Sequence, residues 1–117
     1  MAATGGHVTQ YKGQDGIIEV TLDPLVAGGI AGWTLQFNLS KGKGQTPILT
    51  LDNGMLGGVT IRDPVAEIID VTLDDAFTDT LSFGTYVWDL WRIDPGSESC
   101  LCDDTMSVRA PTRTVFA

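Results

Sequence analysis

Apolar and polar residues alternate along most of this chain, and no long stretch repeats with the 3.6-residue period of an amphipathic helix. Segment 33–40 shows this best, because Trp33, Leu35 and Phe37 share one parity while polar residues occupy the other. Glycine, proline, aspartate and asparagine separate such segments and indicate turns. The pattern predicts strands at 7–12, 16–23, 31–40, 47–51, 59–62, 66–73 and 84–93, and a final hairpin or bent strand at 97–102 and 105–110.

Short strands separated by frequent turns are typical of an antiparallel β-sandwich, and we predict one of seven to nine strands. Residues 1–117 form a single domain in this interpretation, with flexible or partner-ordered tails at 1–6 and 111–117. Asn53-Gly54 is predicted to form a tight turn. Residues 74–78 are predicted to form one helical turn, capped by the Asp74 carboxylate.

The segment 84–93, GTYVWDLWRI, carries apolar residues on both parities, unlike an ordinary sandwich strand. Tyr86 follows a turn at the start of a late strand, as in the tyrosine corner of immunoglobulin-like domains. That likeness places Tyr86, Trp88 and Leu90 in the core. The alternation of segment 31–40 places Trp33 and Phe37 there as well. The remaining side chains of the segment then project outward: Val87, Asp89, Trp91 and Ile93.

Three interpretations of Trp91 stay open at this point. Glycine-rich loops of the same chain could cover it, because large aromatic side chains are mostly buried. It could belong to a protein–protein interface with Val87 and Ile93, since tryptophan is enriched at interface centres. It could also stack on a sugar while Asp89 accepts hydrogen bonds from the hydroxyl groups. Val115 and Phe116, in the C-terminal tail, are further interface candidates.

The formal net charge of −8 narrows the class of partner. Nucleic acids and anionic membranes both require a cationic surface, so we expect the chain to bind neither. The N-terminus lacks the basic and apolar regions of a signal peptide, which favours synthesis in a cytoplasm. Cys100 and Cys102 are two residues apart, a spacing that would strain a disulfide, so both are predicted to be free thiols.

No residue set points to catalysis. His7 is the single histidine, and it lies near a chain end rather than within a triad pattern. Neither a G-x-S-x-G motif nor a Walker glycine loop occurs, and Asp52-x-Gly54 is too short for a calcium loop. We therefore expect no enzyme activity, no cofactor and no metal, since the two cysteines and His7 make a poor zinc set.

Residues 8–114 resemble the small immunoglobulin-like modules of tailed-phage virion proteins, and the N-terminal domain of phage upper baseplate proteins in particular. The stretches that carry the resemblance are GWTLQF (32–37), GVTIRD (58–63), EIIDVTL (67–73), TLSFGTYVWDL (80–90), and MSV (106–108) with Pro111. The resemblance implies an immunoglobulin-like sandwich with a structural role in a particle. The chain is expected to depart from that family as a lone module, since a baseplate protein of the family would continue into a longer C-terminal region.

The expected function is that of a non-enzymatic bacteriophage virion protein, either a capsid decoration protein or a tail-baseplate component. Its expected partners are other virion proteins, with a homo-oligomer possible, and its expected place is a virion assembled in the host cytoplasm. The alternative is a carbohydrate-binding β-sandwich module that uses Trp91 and Asp89.

Overall fold

The described part of the chain is built almost entirely of β-strands. The structure, a computed structural model, describes residues 2–4, 8–11, 16–23 and 30–109. Its one helix is the short turn α1 (Asp75–Thr78). The strands are β1 (Ala2–Thr4), β2 (Val8–Tyr11), β3 (Gly16–Asp23), β4 (Leu35–Ser40), β5 (Leu49–Asp52), β6 (Val59–Asp63), β7 (Ile68–Leu73), β8 (Gly84–Arg92) and β9 (Ser99–Arg109).

The strands form two sheets, in the orders β1-β3-β7-β6 and β2-β9-β8-β4-β5. These orders are those of an immunoglobulin-type sandwich, in which strands A, B, E and D face strands G, F, C and C′. Neighbouring strands run antiparallel, except that β2 runs parallel to β9. The predicted all-β sandwich of seven to nine strands is confirmed, with this one parallel pair as an addition.

The core lies between the inner faces of the two sheets. Strand β3 contributes Ile18, Val20 and Leu22, and every second residue of β4 is buried from Leu35 onward. Because side chains alternate between the faces of a strand, these rows bury their apolar groups while the intervening residues face outward. The period-two pattern in the sequence therefore predicted the dry face of each of these strands.

Strand β8 supplies the centre of the core. Tyr86, Trp88 and Leu90 are buried, as predicted. The Tyr86 hydroxyl donates to the Ser82 carbonyl oxygen over 2.9 Å, which is the geometry of a tyrosine corner. In antibody domains a disulfide-forming cysteine stands two residues after that tyrosine. Trp88 occupies the position here and packs against Phe37 of β4, with ring centroids 5.9 Å apart.

Trp33 was predicted to be a core residue on a strand spanning 31–40, and this holds only in part, because Trp33 packs against the core but lies before the strand. Strand β4 begins at Leu35, and Trp33 is half-buried at the edge of the core. The Arg92 guanidinium lies 4.1 Å from the centroid of its ring. Trp33 therefore contacts the core while its ring also carries the Arg92 cation.

The two chain ends also differ from the sequence-based predictions. Residues 1–6 were predicted as a tail, but Ala2–Thr4 pair with β3 as strand β1. At the other end, Ser99–Arg109 form one continuous strand instead of two segments. A bulge opposite Leu90 and Trp91 places one extra residue on β9, and the adjacent Leu101 and Cys102 are both buried there. The predicted tail 111–117 lies outside the described residues.

The predicted helical turn is confirmed. The Asp74 side chain accepts a hydrogen bond from the Ala76 backbone nitrogen over 3.0 Å, and α1 follows it directly. That backbone hydrogen bond, followed by a side-chain hydrogen bond with Asp75, lowers the pKa of the Asp74 carboxyl. The turn connects β7 to β8, and so carries the chain from one sheet to the other.

Candidate binding face

The outer face of the five-stranded sheet carries most of the residues predicted to act outside the core. Gln36 and Asn38 on β4 lie beside Trp91 and Asp89 on β8, because the strand register pairs Gln36 with Trp91 and Asn38 with Asp89. Val87 lies next to Ser40 on the same face. The alternation along β8 that buries Trp88 therefore turns Val87, Asp89 and Trp91 outward.

A polar network holds the middle of this face. The Asn38 side-chain nitrogen donates to an Asp89 carboxylate oxygen over 3.0 Å and makes a longer contact of 3.4 Å with the Gln36 side-chain oxygen. The Thr50 hydroxyl on β5 donates to the Asn38 amide oxygen over 3.0 Å. The network crosses three strands, so it fixes the orientation of the Asp89 carboxylate.

A groove of about 780 Å³ runs along this face. The loop that follows β4 forms one wall, and the outer residues of β4, β8 and β9 form the floor and the other wall. Lys43 in the loop approaches Asp103 on β9, with 3.8 Å between its ammonium nitrogen and a carboxylate oxygen. Both side chains are largely exposed, so this ion pair contributes little stability. Amides, carboxylates, hydroxyls and an ammonium group therefore face one open cleft.

Trp91 lies at the end of the groove rather than inside it. Its cross-strand neighbour Gln36 lines the groove, and 36% of the Trp91 surface is exposed. Part of the ring is thus covered by its own chain and part of it is accessible. Ile93 follows the last residue of β8 and is half-buried, and Val87 is half-buried within the groove wall. Val115 and Phe116 lie outside the described residues.

The two cysteines are free thiols, as predicted. Burial raises the pKa of the Cys102 thiol to about 11, and the nearby carboxylates of Asp104 and Asp103 add to the effect. The pKa of Cys100 is also raised, first by burial and then by Asp89 and Asp103. Both groups stay protonated at neutral pH, so neither acts as a thiolate nucleophile there.

A second polar cluster, which the sequence did not reveal, closes the end of the sandwich near Trp33. One Asp94 carboxylate oxygen accepts from the Arg92 side chain over 2.8 Å and from the Thr34 backbone nitrogen over 2.9 Å. These contacts, led by that of Arg92, lower the pKa of Asp94 to about 2. The cluster ties the turn after β8 to the start of β4, which is a structural role.

Comparison with known proteins adds no relative. No protein-family model matches the chain, and no curated protein matches it either. Among the described residues, histidine, cysteine and carboxylate side chains nowhere gather in a group of three that could hold a metal ion. The described part of the chain likewise contains no helix with the length and apolar character needed to cross a membrane.

Proposed function

We propose that this chain is a non-enzymatic structural module of a bacteriophage virion, either a capsid decoration protein or a tail-baseplate component. It acts through protein–protein contacts made by the outer face of its five-stranded sheet. The proposal rests on the resemblance described above, whose most specific string ends in Tyr86-x-Trp88-Asp89-Leu90.

The observation that carries the proposal is the construction of β8. The resembling string lies along this strand, with a tyrosine corner at its start and Trp88 in the core. The same strand presents Val87 and the partly exposed Trp91 on its outer face. A partly exposed tryptophan on a rigid sheet suits a protein contact, because little conformational entropy is lost when a partner covers it.

The direct test is to purify phage particles from cells that carry this gene, by density gradient, and to quantify the chain by mass spectrometry. We expect it at a fixed copy number relative to the major capsid or tail protein. Recovery only from the soluble fraction would refute the proposal.

A variant pair then tests the surface separately. Trp91→Ala should lower the number of copies per particle, while Phe83→Ala, an exposed aromatic truncation that precedes β8 and does not line the groove, should not. Particles that retain full occupancy with Trp91→Ala would exclude Trp91 from the contact and leave the virion role intact.

The groove favours one second candidate, a carbohydrate-binding module. Sugar hydroxyls donate to carboxylates and accept from amide or ammonium groups, and the groove offers Asp89, Asn38 and Lys43 for these roles. Trp91 beside the groove could stack on the apolar face of a ring. Titration with a panel of polysaccharides, followed by tryptophan fluorescence and calorimetry, tests it. Binding that Asp89→Asn and Trp91→Phe both weaken would support this candidate, and a panel without any response would exclude it.

A further inference from the structure

The two sheets end at strands β5 and β6, and the core is incompletely covered between these edges. Leu49 and Leu51 of β5 and Phe77 of α1 are only half-buried there. Together with Leu56 and Leu73 they line an apolar recess of about 330 Å³. Because a cavity of about 150 Å³ already holds a benzene ring, the recess has room for one large apolar side chain.

The wall of the recess that Leu56 forms is held in one conformation. One Asp52 carboxylate oxygen accepts from the Leu56 and Gly57 backbone nitrogens over 3.0 and 3.2 Å. Next along the chain, Gly58 has φ of +89°, and a Cβ atom there would lie 2.9 Å from the Leu51 side chain. The backbone is therefore close against the floor of the recess. A wall fixed in this way loses little conformational entropy when an occupant covers it.

The rim of the recess is acidic. Thr72 and Asp74 complete its lining, and both also line a second, shallower hollow with Asp75 and Ile17. Asp74 is charged at neutral pH, because its hydrogen bond from the Ala76 backbone lowers the pKa of its carboxyl. Beyond these acids, Ile17 is exposed over 66% of its surface. The surface therefore runs from an apolar recess, past two carboxylates, to an exposed isoleucine, and no basic side chain lines either hollow.

We propose that this surface binds an extended segment of a partner protein in which a basic residue lies between two apolar residues. One apolar side chain enters the recess, the lysine or arginine faces Asp74 and Asp75, and the second apolar side chain covers Ile17. Alternate side chains of an extended segment point to the same side, about 6.6 Å apart. A sequence of the form apolar-x-basic-x-apolar therefore presents all three groups to the surface at once.

Charge complementarity selects this kind of partner. A wholly apolar occupant would remove the Asp74 carboxylate from water without pairing it, which costs free energy. A second copy of this chain, with its net charge of −8, would bring further negative charge to the acidic rim. A lysine or arginine instead forms charge-assisted hydrogen bonds with the carboxylates while its apolar neighbours cover the recess and Ile17.

The test is an NMR titration of the full, ¹⁵N-labelled chain with the peptide acetyl-GFGRGLG-amide. We expect shifts of the backbone amides of Ile17, Leu56, Asp75 and Phe77, with a Kd of about 0.5 mM. Binding should weaken severalfold between about 50 mM and 500 mM NaCl, because salt screens the attraction between opposite charges. The control peptides acetyl-GFGEGLG-amide and acetyl-GAGRGAG-amide remove the cation and the apolar groups, and each should shift these signals at least about fivefold less.

Two pairs of variants locate the contact on the protein. Leu56→Asn should weaken binding about fivefold, since it places a polar group in the apolar wall. Val65→Asn is its control, because Val65 is 79% exposed in the turn between β6 and β7. Asp75→Asn should remove much of the salt dependence, whereas Asp103→Asn, the same change of charge in the groove of the other sheet, should not. Circular dichroism and thermal melting check that all four variants keep the fold.

Three results would overturn the proposal. The first is an absence of shifts at these amides with about 5 mM peptide at low salt. The second is equal binding of the glutamate peptide, which would deny the acidic rim any part in recognition. The third is binding that Leu56→Asn leaves unchanged, which would place the peptide elsewhere. The surface shares no residue with the groove, so its failure would leave the virion role untouched, since that role is read from particle composition.

Discussion

Trp88 and Trp91 lie three residues apart on the same strand, and their surroundings differ completely. Trp88 is 2% exposed and packs against Phe37 at the centre of the sandwich, whereas Trp91 is 36% exposed at the end of a polar groove. An odd spacing in a strand sends the two rings to opposite faces of the sheet. A single aromatic-rich strand can therefore supply both the core and a candidate binding face. The position of each ring along the strand, odd or even, decides which face of the sheet it joins.

The largest expected effect is on the free energy of unfolding, when Trp88 and Trp91 are truncated in two separate variants. Trp88→Ala should lower the free energy of unfolding by about 3–5 kcal/mol, because it leaves a cavity in the core and removes the contact with Phe37. Trp91→Ala should cost less, about 1–2 kcal/mol, since about a third of the residue already meets water. Urea unfolding of both variants checks the difference. Equal losses would mean that Trp91 is a core residue in solution.

The next largest loss of stability is expected at the tyrosine corner, on the inner face of β8. Tyr86→Phe removes the hydrogen bond to the Ser82 carbonyl and keeps the ring, so it should cost about 0.5–1.5 kcal/mol. Thermal or urea unfolding measures the loss. A neutral result would show that this hydroxyl exchanges its protein partner for water without a penalty.

Substitutions on the outer face of the five-stranded sheet are expected to change stability less. A double-mutant cycle with Asn38→Ala and Asp89→Ala measures the coupling across their 3.0 Å hydrogen bond. We expect about 0.5–1 kcal/mol, because both side chains are only half-buried and water competes for them. If these variants change stability little but abolish binding to a glycan or a virion protein, the network serves recognition. Coupling above about 2 kcal/mol would instead make it a structural element.

The smallest effect concerns pH. The folded-state pKa of Asp94 is lowered to about 2 from its ordinary value of 3.8, so its contribution to stability is present above about pH 4. That contribution is lost as pH falls from about 4 through about 2, where the folded-state carboxyl takes up its proton. Asp94→Asn should therefore flatten the pH dependence of unfolding in this window alone. An unchanged pH profile would show that Arg92 and Asp94 are not paired in solution.

The outer face of β8 and the loop at 53–58 differ in how far the sequence revealed them. Trp91 was predicted to face outward from the parity of β8, and it lies on the outer face. The loop was predicted only as a tight turn at Asn53-Gly54, and the structure has a wider loop whose left-handed residues are Gly57 and Gly58. The Asn53 side chain bonds to the backbone at the start of β4, which is distant along the chain, so local sequence did not reveal this conformation.

The sequence by itself determined the all-β class, the inner faces of β3, β4 and β8, the tyrosine corner and the capped turn at Asp74. These features depend on the alternation of side chains along a strand and on residues near in sequence, so local chemistry specifies them. Tertiary structure alone decided that Trp33 is only half-buried against the core, and that β2 runs parallel to β9. It also decided that Leu101 and Cys102 are both buried, and that Asn38 orients Asp89. Each of these depends on which strands become neighbours, and a pattern of period two does not encode that choice.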